Sequence, residues 1–432
     1  MKHSNLDSRL QSSSIYAVSR LGLSKYSITK TLWILVLITA LSGCGFQVHR
    51  YVIFFFKYPV VINYKRKSQV KVDFPAVTIC NPNRMKSMFE DCLYEPFDSL
   101  ECMHGLSVVT GLLVMLEMQN FYSCNSQFSG QQDKDIEATK KFIQEYSKLN
   151  LGDRNKFGHR LTDLIVNCSF RGKSCEGPFT TITNFRYGNC FSFNKFNGLS
   201  LAAANKTLFE NFKGLEITLN AEIRQYLSIS RTVGFRIVIH DPSEEPNPKG
   251  NGISVSPGYE TNIRLRQTLI KRLPAPYKDQ CVFYSNTPQF EKSQALCTQA
   301  CVQEYNYAKC GCMEPQFLTV PDRRLCNVTN STDVCCLDSV LNHLVVHGTN
   351  CECPLPCVSM FFNELVTKSI WPSKASFYKR QTNITEQDLK LYRASHAKIN
   401  IFFSTLGRTM YEQTPMFHES EIFSHLGGEF GL

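Results

Sequence analysis

Cysteines are the residues of this 432-residue chain whose number and spacing most clearly imply chemistry. Eighteen of the nineteen follow residue 57, and eleven lie between Cys281 and Cys357. A zinc cluster requires paired ligands with two-residue gaps and histidines nearby. The late spacings are instead Cys310-x-Cys312, Cys335-Cys336 and Cys351-x-Cys353-x-x-x-Cys357. An even set of thiols with these gaps favours disulfides in an oxidising compartment over metal binding.

Composition and motifs argue against several other classes of protein. The apolar and aromatic content, 43% and 12%, is too high for a disordered chain. No P-loop, Gly-x-Ser-x-Gly or His-Glu-x-x-His motif is found, and His418-Glu419 has its next histidine at the wrong spacing, His425. The net charge of +10 is spread over the chain, as on an ordinary surface. We therefore expect no enzyme, no cofactor, no metal and no nucleic-acid partner.

One segment near the start has the properties of a membrane helix. Residues 31–48 carry no formal charge, and the apolar run resumes after Arg50. As a helix this stretch spans roughly 27 Å, close to the hydrocarbon core of a bilayer. A cleaved signal peptide would use the small residues at 40–42, but the long polar segment before it and the apolar run after it favour a retained anchor. We predict a membrane helix over residues 31–56.

The cysteines also predict the orientation of this anchor. Basic residues flank both sides of the helix, so charge alone barely decides its orientation in the membrane. The eighteen later cysteines and five glycosylation sequons place residues 57–418 outside the cell as a cysteine-rich domain and residues 1–30 in the cytoplasm. The sequons are Asn167, Asn205, Asn327, Asn330 and Asn383. The predicted location is the plasma membrane.

The extracellular segment is predicted to mix strands and helices. Period-two alternation indicates half-buried strands at residues 70–74, 215–219, 235–239, 263–265 and 399–403, which would join in one non-local sheet. Helical spacing appears over 136–149 and from Phe157 through Leu164 and Ile165 to Cys168. A further helix is predicted from about Ser293 to Ala308, and Thr385 begins another.

Several motifs, taken together and in order, resemble the degenerin/epithelial sodium channel family. These are Phe74-Pro75-Ala76-Val77-Thr78-Ile79-Cys80-Asn81, Gly188-Asn189-Cys190-Phe191-Ser192, Ser256-Pro257-Gly258, Arg272-Leu273-Pro274-Ala275-Pro276-Tyr277, Lys309-Cys310-Gly311-Cys312, Cys351 to Cys357, Trp371-Pro372-Ser373 and Leu426-Gly427-Gly428-Glu429-Phe430-Gly431-Leu432. The resemblance runs from the first membrane helix to the last residue.

The resemblance implies a disulfide-rich α+β ectodomain with an antiparallel β palm and helical finger and thumb, the thumb at about 281–357. It also implies a homo- or hetero-trimer in membrane lipid. The implied pairs are Cys80 with Cys190, Cys168 with Cys175, Cys281 with Cys357, Cys297 with Cys353, Cys301 with Cys351, Cys312 with Cys326, and Cys310 with Cys335 or Cys336. The late pairs are nested, as a cross-linked antiparallel hairpin requires. Cys92, Cys102, Cys124 and the remaining one of Cys335 and Cys336 are not assigned.

The function that the resemblance implies is an amiloride-sensitive sodium channel, with Na⁺ as the permeant ion. In the family, the segment corresponding to 419–432 leads into a second membrane helix with a Gly-x-Ser selectivity tract, and no second apolar run is found here. We expect a fragment of a longer protein. The alternative is a truncated, non-conducting subunit or a single-pass disulfide-rich binding protein.

Four residues are predicted to affect gating. The family has a His-Gly dipeptide before the first helix, where this chain has Tyr16-Ala17. Ser424 falls where the family has a small residue whose enlargement holds the channel open, and a plain solvated serine is the alternative. Tyr277 matches an aromatic residue at the base of the thumb that meets aromatics on top of the first helix, here Phe54 to Tyr58, and ordinary packing is the alternative.

The gating stimulus is not fixed by the sequence. Acid sensing requires clustered carboxylates, whereas the adjacent Glu244 and Glu245 are typical of a solvated turn. The ten histidines show no apparent cluster. Acid, peptide, mechanical and constitutive gating all remain open.

Overall fold

The computed structural model describes most of the predicted elements. The described residues are 16–24, 26–68, 71–94, 131–175, 179–196, 198–202, 214–284, 293–317, 323–348, 351–379 and 385–418, with positions 421, 424, 427 and 428. The sequons at Asn205 and Asn383, and the unassigned Cys102 and Cys124, lie outside these residues.

The chain divides into two compact units. The first combines Met1–Asn63, Arg272–Cys281 and Glu412–Leu432, and the second combines Tyr64–Lys271 with Val282–Tyr411. The first unit therefore gathers three stretches that are far apart in sequence.

Two helices begin the first unit, α1 (Tyr16–Leu23) and α2 (Ser27–Phe55). Among the described residues, α2 is the one helix long and apolar enough to cross a membrane. None of its residues is buried, and large side chains such as Leu41 and Phe46 are more than 60% exposed. Such an all-round apolar surface is unfavourable in water and suits a lipid environment. The helix begins four residues before the predicted start at residue 31 and ends one residue before the predicted end at 56.

Antiparallel strands dominate the rest of the chain. The remaining elements are β1 (Val60–Ser68), β2 (Lys71–Asp73), β3 (Ala76–Cys80), α3 (Asp91–Tyr94), α4 (Gln131–Lys148), α5 (Leu151–Phe157), α6 (Leu161–Leu164), β4 (Ile165–Phe170), β5 (Lys173–Ser174), β6 (Phe179–Asn184), β7 (Gly188–Phe193), β8 (Ser200–Ala202), β9 (Leu215–Asn220), β10 (Phe235–His240), α7 (Pro248–Asn251), β11 (Ile253–Val255), β12 (Tyr259–Lys271), α8 (Gln294–Cys310), α9 (Ser331–His347), β13 (Val358–Ile370), α10 (Lys374–Tyr378), α11 (Glu386–Ser395) and β14 (His396–Pro415).

The described strands form two larger sheets and a ribbon. The first sheet has the order β13-β12-β14-β9-β4-β5, with β1 paired to β14, and the second has the order β11-β10-β3-β7-β6. The ribbon pairs β2 with β8. The expectation of one sheet was therefore wrong. Period-two alternation reports which face of a strand is buried but not which neighbour it pairs with, so it could not separate the two sheets.

One hydrophobic core joins the two sheets. The inward residues of the first sheet include Ile217, Leu265 and Ile399, and those of the second include Ile79 and Phe235; all are at most 1% exposed. Each such side chain contributes about 1.5–3 kcal/mol by leaving water. The strands come from distant parts of the chain, so the core links both ends of the second unit.

Two predicted helix starts are confirmed. Helix α8 follows the N-cap Ser293, whose side chain accepts a hydrogen bond from the Leu296 amide. Helix α11 has a capping box in which Thr385 and Asp388 exchange side-chain and backbone hydrogen bonds.

The continuous helical stripe from Phe157 to Cys168 was wrong. Helix α5 ends at Phe157, α6 is a single turn, and Ile165 begins strand β4, which pairs with β9. The apolar spacing suits a helix, but β-branched Ile165 and Val166 also suit a strand, and pairing with β9 decides between the two.

Six disulfides are placed by the described residues. They join Cys80 to Cys190, Cys168 to Cys175, Cys297 to Cys353, Cys301 to Cys351, Cys310 to Cys336 and Cys312 to Cys326. Of the two partners left open for Cys310, the structure therefore uses Cys336 and not Cys335. Cys281 and Cys357 are also disulfide-bonded, as are Cys92 and Cys335.

Candidate functional site

The most informative candidate site lies within the first unit, where its three stretches meet. We call it the membrane-proximal junction and define it as residues 51–63, Arg272–Cys281 and residues 412–418. The first stretch is the end of α2 and the start of β1. The second follows directly after β12, and the third is the end of β14 with the residues after it. Contacts among these stretches tie the candidate membrane helix to two distant parts of the chain.

Aromatic side chains hold the third stretch against the end of α2. The ring of Phe417 lies 5.6 Å from that of Tyr51, 5.7 Å from that of Phe54 and 6.2 Å from that of Phe55, measured between centroids. Aromatic pairs at these distances are attractive beyond their burial. The amide of Met416 also donates to the carbonyl of Pro59, at 2.9 Å. The chain after β14 is thereby fixed to the helix end.

A tyrosine pair joins the second stretch to the residues after α2. The rings of Tyr58 and Tyr277 meet edge to face, with centroids 5.7 Å apart and planes at 77°. Tyr58 has a φ of 48°, an uncommon conformation for a bulky residue. Tyr277 lies in a turn in which its amide donates to Pro274. Tyr277 thus lies beside Tyr58, one of the aromatic residues from Phe54 to Tyr58 that the resemblance to the family implied as its partners.

Gln413 connects the second and third stretches. Its Oε1 accepts a hydrogen bond from the Leu273 amide at 3.0 Å, and its Nε2 donates to Oδ2 of Asp279 at 2.6 Å. One side chain therefore holds both ends of the turn that carries Tyr277. Sequence reasoning missed Gln413, because a glutamine at the end of a strand has no distinctive local pattern.

The other predicted gating residues also lie in the first unit. Ser424 is exposed in a helical position. Tyr16 lies in α1, where its ring meets that of Trp33 of α2 edge to face at 5.8 Å and its hydroxyl accepts from Nε of Arg20 at 2.9 Å. Ala17 is half-buried beside it. The Tyr16 contact gives α1 a specific attachment to the candidate membrane helix.

The second unit contains a buried ionic network that sequence reasoning missed. Nζ of Lys86 donates to Asp163 at 2.7 Å and to Glu222 at 2.9 Å. The other carboxylate oxygen of Glu222 lies 2.6 Å from Nδ1 of His159, whose Nε2 lies 3.1 Å from the side-chain amide of Asn83. These residues come from three separate segments, 83–86, 159–163 and 222, so no local pattern could reveal the network.

The hydrogen bonds of this network set the charge of Glu222. Burial acts to raise the pKa of its carboxyl, but the bonds from His159 and Lys86 outweigh burial, and the pKa lies below its usual value. The pKa of Asp163 is lowered in the same way, because the hydrogen bond from Lys86 more than offsets the upward effect of burial. Glu222 is thus held ionised in a half-buried position.

Partial burial of the carboxyl group, and then the negative charge of nearby Asp241, raise the pKa of Glu244, one member of the acidic pair named from the sequence. Glu244 and Glu245 are both exposed, and Glu245 pairs with Lys195 at 2.7 Å. Two of the histidines form a pair, because His343 and His347 stack on α9 with ring centroids 4.5 Å apart. Their four-residue spacing was the signal that could have found them.

Three of the five sequons lie within the described residues. Asn167 is exposed on β4. Asn327 and Asn330 precede α9, and Asn330 is its N-cap, accepting a hydrogen bond from the amide of Thr332 at 2.9 Å. Asn327 is half-buried and bonds Thr329 of its own sequon at 2.6 Å. Asn167 and Asn330 are exposed and are therefore more accessible to a glycosylating enzyme than Asn327.

Comparison with known proteins identifies the family. The family model described as amiloride-sensitive sodium channel matches residues 10–432, so the chain belongs to this family. Degenerin mec-4 of Caenorhabditis briggsae is 28% identical over 298 residues, covering 66% of this chain and 38% of that protein. Acid-sensing ion channel 1C of Danio rerio is 26% identical, covering 100% of this chain and 81% of that protein. The chain thus spans about two fifths of the degenerin.

Among solved structures, a proton-activated chloride channel aligns with 93% of this chain and 92% of its own, at 8% identity and a TM-score of 0.33.

Proposed function

We propose that the chain is a subunit of a sodium-selective cation channel, trimeric as a homomer or with related subunits, that an extracellular stimulus opens. Its family and the names of its relatives, degenerins and acid-sensing ion channels, support this class of function. Helix α2 would cross the plasma membrane with residues 1–30 in the cytoplasm and the disulfide-rich part outside. The disulfides support that orientation, because such bonds persist in oxidising compartments.

The observation that carries the proposal is the contact of Tyr58 with Tyr277, 5.7 Å apart in the membrane-proximal junction. The Tyr277 turn continues in sequence from β12 on one side and into disulfide-bonded Cys281 on the other. A movement of the extracellular elements would reach the end of α2 through this turn. Tyr277 would act as a coupling residue, and Ser424 as the small residue that permits closure.

The cytoplasmic residues Tyr16 and Ala17 are also expected to affect how often the channel opens. Tyr16 stands where the family has histidine, and its contact with Trp33 would fix α1 against the membrane helix. With Tyr16-Ala17 in place of His-Gly, the open probability of a homomer would be low. Association with a related subunit would then provide larger currents.

The experiment that tests the function is whole-cell recording from cells that express the entire coding sequence containing this chain. We expect an inward current that disappears when Na⁺ is replaced by N-methyl-D-glucamine and that amiloride blocks. Surface biotinylation measures delivery to the membrane. Surface protein without any current, both alone and with related subunits, would contradict the proposal.

The alternative is a non-conducting subunit or a single-pass extracellular binding protein, which shares every ectodomain feature. Co-expression with a conducting relative distinguishes a non-conducting subunit from a subunit that lines the pore. A non-conducting subunit would change the current of a conducting relative without changing its sodium selectivity. A channel subunit with altered pore residues would change the selectivity as well.

A further inference from the structure

Three arginines from separate segments of the second unit converge on two aromatic rings. Arg84 follows β3, Arg154 lies on α5, and Arg186 lies in the turn between β6 and β7. The guanidinium carbon of Arg84 is 5.7 Å from the centroid of the Tyr146 ring and 5.8 Å from that of the Phe185 ring. The guanidinium carbon of Arg154 is 5.3 Å and 5.0 Å from the same two centroids. Two cations therefore share one pair of rings, and the third arginine follows one of those rings in sequence.

Backbone contacts fix the positions of these arginines. Gly188 has a φ of 65° and lies so close to the backbone carbonyl of Arg84 that a side chain would collide with it, so the turn that carries Arg186 is held against Arg84. Nη2 of Arg154 donates to the carbonyl of Ser147 at 2.9 Å, which ties α5 to the end of α4. The cluster is therefore part of the fold and does not consist of free surface side chains.

No carboxylate balances these positive charges among the described residues. None of the three arginines forms an ion pair with an acidic side chain in that part of the chain. Glu145 of α4 pairs with Lys148 instead, at 2.8 Å. Burial, and then the charges of Arg186 and Arg154, lower the pKa of Arg84 to about 10, so Arg84 remains positively charged at neutral pH. The cluster therefore carries positive charge that lacks a partner of opposite sign.

Three buried donors of the cluster also lack hydrogen-bond partners. Nη1 of Arg84, Nε of Arg154 and the hydroxyl of Tyr146 have no partner among the described residues. Guanidinium nitrogens only donate, and a phenol hydroxyl can donate. Burial raises the pKa of Tyr146, and the charges of Arg84 and Arg154 act against it, so both cations lie near the phenol oxygen. Buried donors without an acceptor are unfavourable, and all three would be satisfied by a negatively charged acceptor.

We propose that Arg84, Arg154 and the hydroxyl of Tyr146 bind a small monovalent inorganic anion such as chloride or bromide, and that Arg186 contributes positive charge. An anion would lie at the ring edges, because the ring faces are negative and the edges positive. The donors are buried beside two rings, which favours a small ion over a large organic anion. The three arginines are half-buried as residues, so the ion can enter from solvent.

Occupancy of this site would stabilise the second unit. The bound ion would connect α4, α5 and the segment after β3, which are not held together in the unfolded chain. A ligand that binds only the folded state raises its stability by mass action. Binding at this site requires no ion conduction, so a stability measurement tests it whatever the outcome for channel activity.

The test is thermal unfolding of the purified full chain in detergent, with sodium gluconate replaced stepwise by NaCl or NaBr. The sodium concentration is fixed and the ionic strength is kept at about 0.15 M. We expect the midpoint of wild type to rise saturably by about 1–3 °C with either halide. Arg154→Gln should lose this response. Arg264→Gln, which neutralises an exposed arginine on β12, is the matched control and should respond as wild type does.

Two conservative variants make the test specific to the proposed donors. Tyr146→Phe keeps both rings and all three arginines and removes one donor, so the halide concentration for half the response should rise by at least about tenfold. Arg154→Lys keeps the charge without the planar fork and should retain part of the response. Tyr146→Phe remains informative if Arg154→Gln does not fold. A wild-type midpoint that is independent of halide, or an equal response in wild type, Arg154→Gln and Tyr146→Phe, would overturn the site.

Discussion

The ring of Tyr277 packs edge to face against the ring of Tyr58, three residues beyond the end of α2. Gln413 also holds this turn, through hydrogen bonds with the Leu273 amide and the Asp279 carboxylate. The position of the turn relative to the helix end is therefore defined by ring packing and by hydrogen bonds, which can be removed separately.

Truncation of Tyr277 is expected to impair gating. Tyr277→Ala removes the ring and its contact with Tyr58, an interaction of about 0.5–1.5 kcal/mol. If the turn transmits movement to α2, the response to an effective stimulus should fall while surface expression remains. The measurement is stimulus-evoked current normalised to surface protein, in the full-length channel.

The matched variant for this prediction is Tyr277→Phe. It keeps the ring and its edge-to-face geometry and removes only the hydroxyl, so gating should stay close to wild type. A normal response in Tyr277→Ala would remove the coupling role. An equal loss in both variants would assign the effect to the hydroxyl instead.

Enlargement of Ser424 is expected to favour the open state. Ser424 is exposed in a helical position after β14, in the first unit. Ser424→Val adds volume where we propose that a small residue permits closure, so the resting amiloride-sensitive leak should rise. Ser424→Ala keeps the residue small and should leave the leak unchanged. An identical leak in the valine variant would show that Ser424 is only a solvated serine.

Local sequence patterns account for much of the fold. The capping box at Thr385 and the N-cap at Ser293 depend on residues within one turn, so the sequence predicts both. Helix α2 is similarly evident from a long apolar run. The strand that begins at Ile165 was missed because its identity depends on pairing with β9, more than 40 residues away.

Contacts between residues far apart in the chain could not be predicted from the sequence. Adjacent Cys335 and Cys336 look equivalent in one dimension, but neighbours on α9 point about 100° apart, and only Cys336 pairs with Cys310. The network around Glu222 joins residues up to 136 positions apart. Tyr277 is the exception at the junction, because a family motif covers it.

Peptide mapping can check the Cys310 bond. A non-reducing digest followed by fragmentation between Cys335 and Cys336 should attach the Cys310 peptide to Cys336. The Cys312–Cys326 link provides an internal reference in the same experiment. Attachment of Cys310 to Cys335 would contradict the arrangement of α8 and α9.

Acid should destabilise the second unit through Glu222. Its pKa is lower in the folded chain than in the unfolded one, so the unfolded state binds more protons at moderately acidic pH. The stabilisation is complete above the unfolded value, about 4.3, and is lost as the pH falls through the folded pKa. The thermal midpoint of wild type should therefore decrease as the pH is lowered below about 4.3.

Glu222→Gln tests that origin. The variant should be less stable at neutral pH by about 3 kcal/mol, since it leaves the buried Lys86 and His159 without this charge, and its midpoint should depend less on pH. Glu386→Gln removes an exposed pair with Lys374 and should change neither property. Parallel pH profiles for wild type and Glu222→Gln would assign acid sensitivity to other groups.

Arg84 lies in a cluster of arginines and aromatic rings in the second unit. The guanidinium of Arg84 lies 5.6 Å from the ring of Phe142 and 5.8 Å from that of Phe185, and its buried Nη1 has no hydrogen-bond partner among the described residues. Burial lowers the pKa of Arg84 to about 10, and the positive charges of Arg186 and Arg154 act in the same direction. Among the described residues, the cation is thus surrounded by aromatic rings and is not paired with a carboxylate.

Lysine should therefore replace Arg84 less well than methionine does. Arg84→Lys keeps the charge but loses the planar guanidinium between the rings and places a more strongly hydrated ammonium near Arg154, at a cost of about 2 kcal/mol or more. Arg84→Met removes the unpartnered donor and the repulsion, and its thioether packs well on aromatic rings. Thermal midpoints in the order wild type, Met, Lys would support this account. A lysine variant as stable as wild type would show that the positive charge, and not the shape of the guanidinium, stabilises the fold at this position.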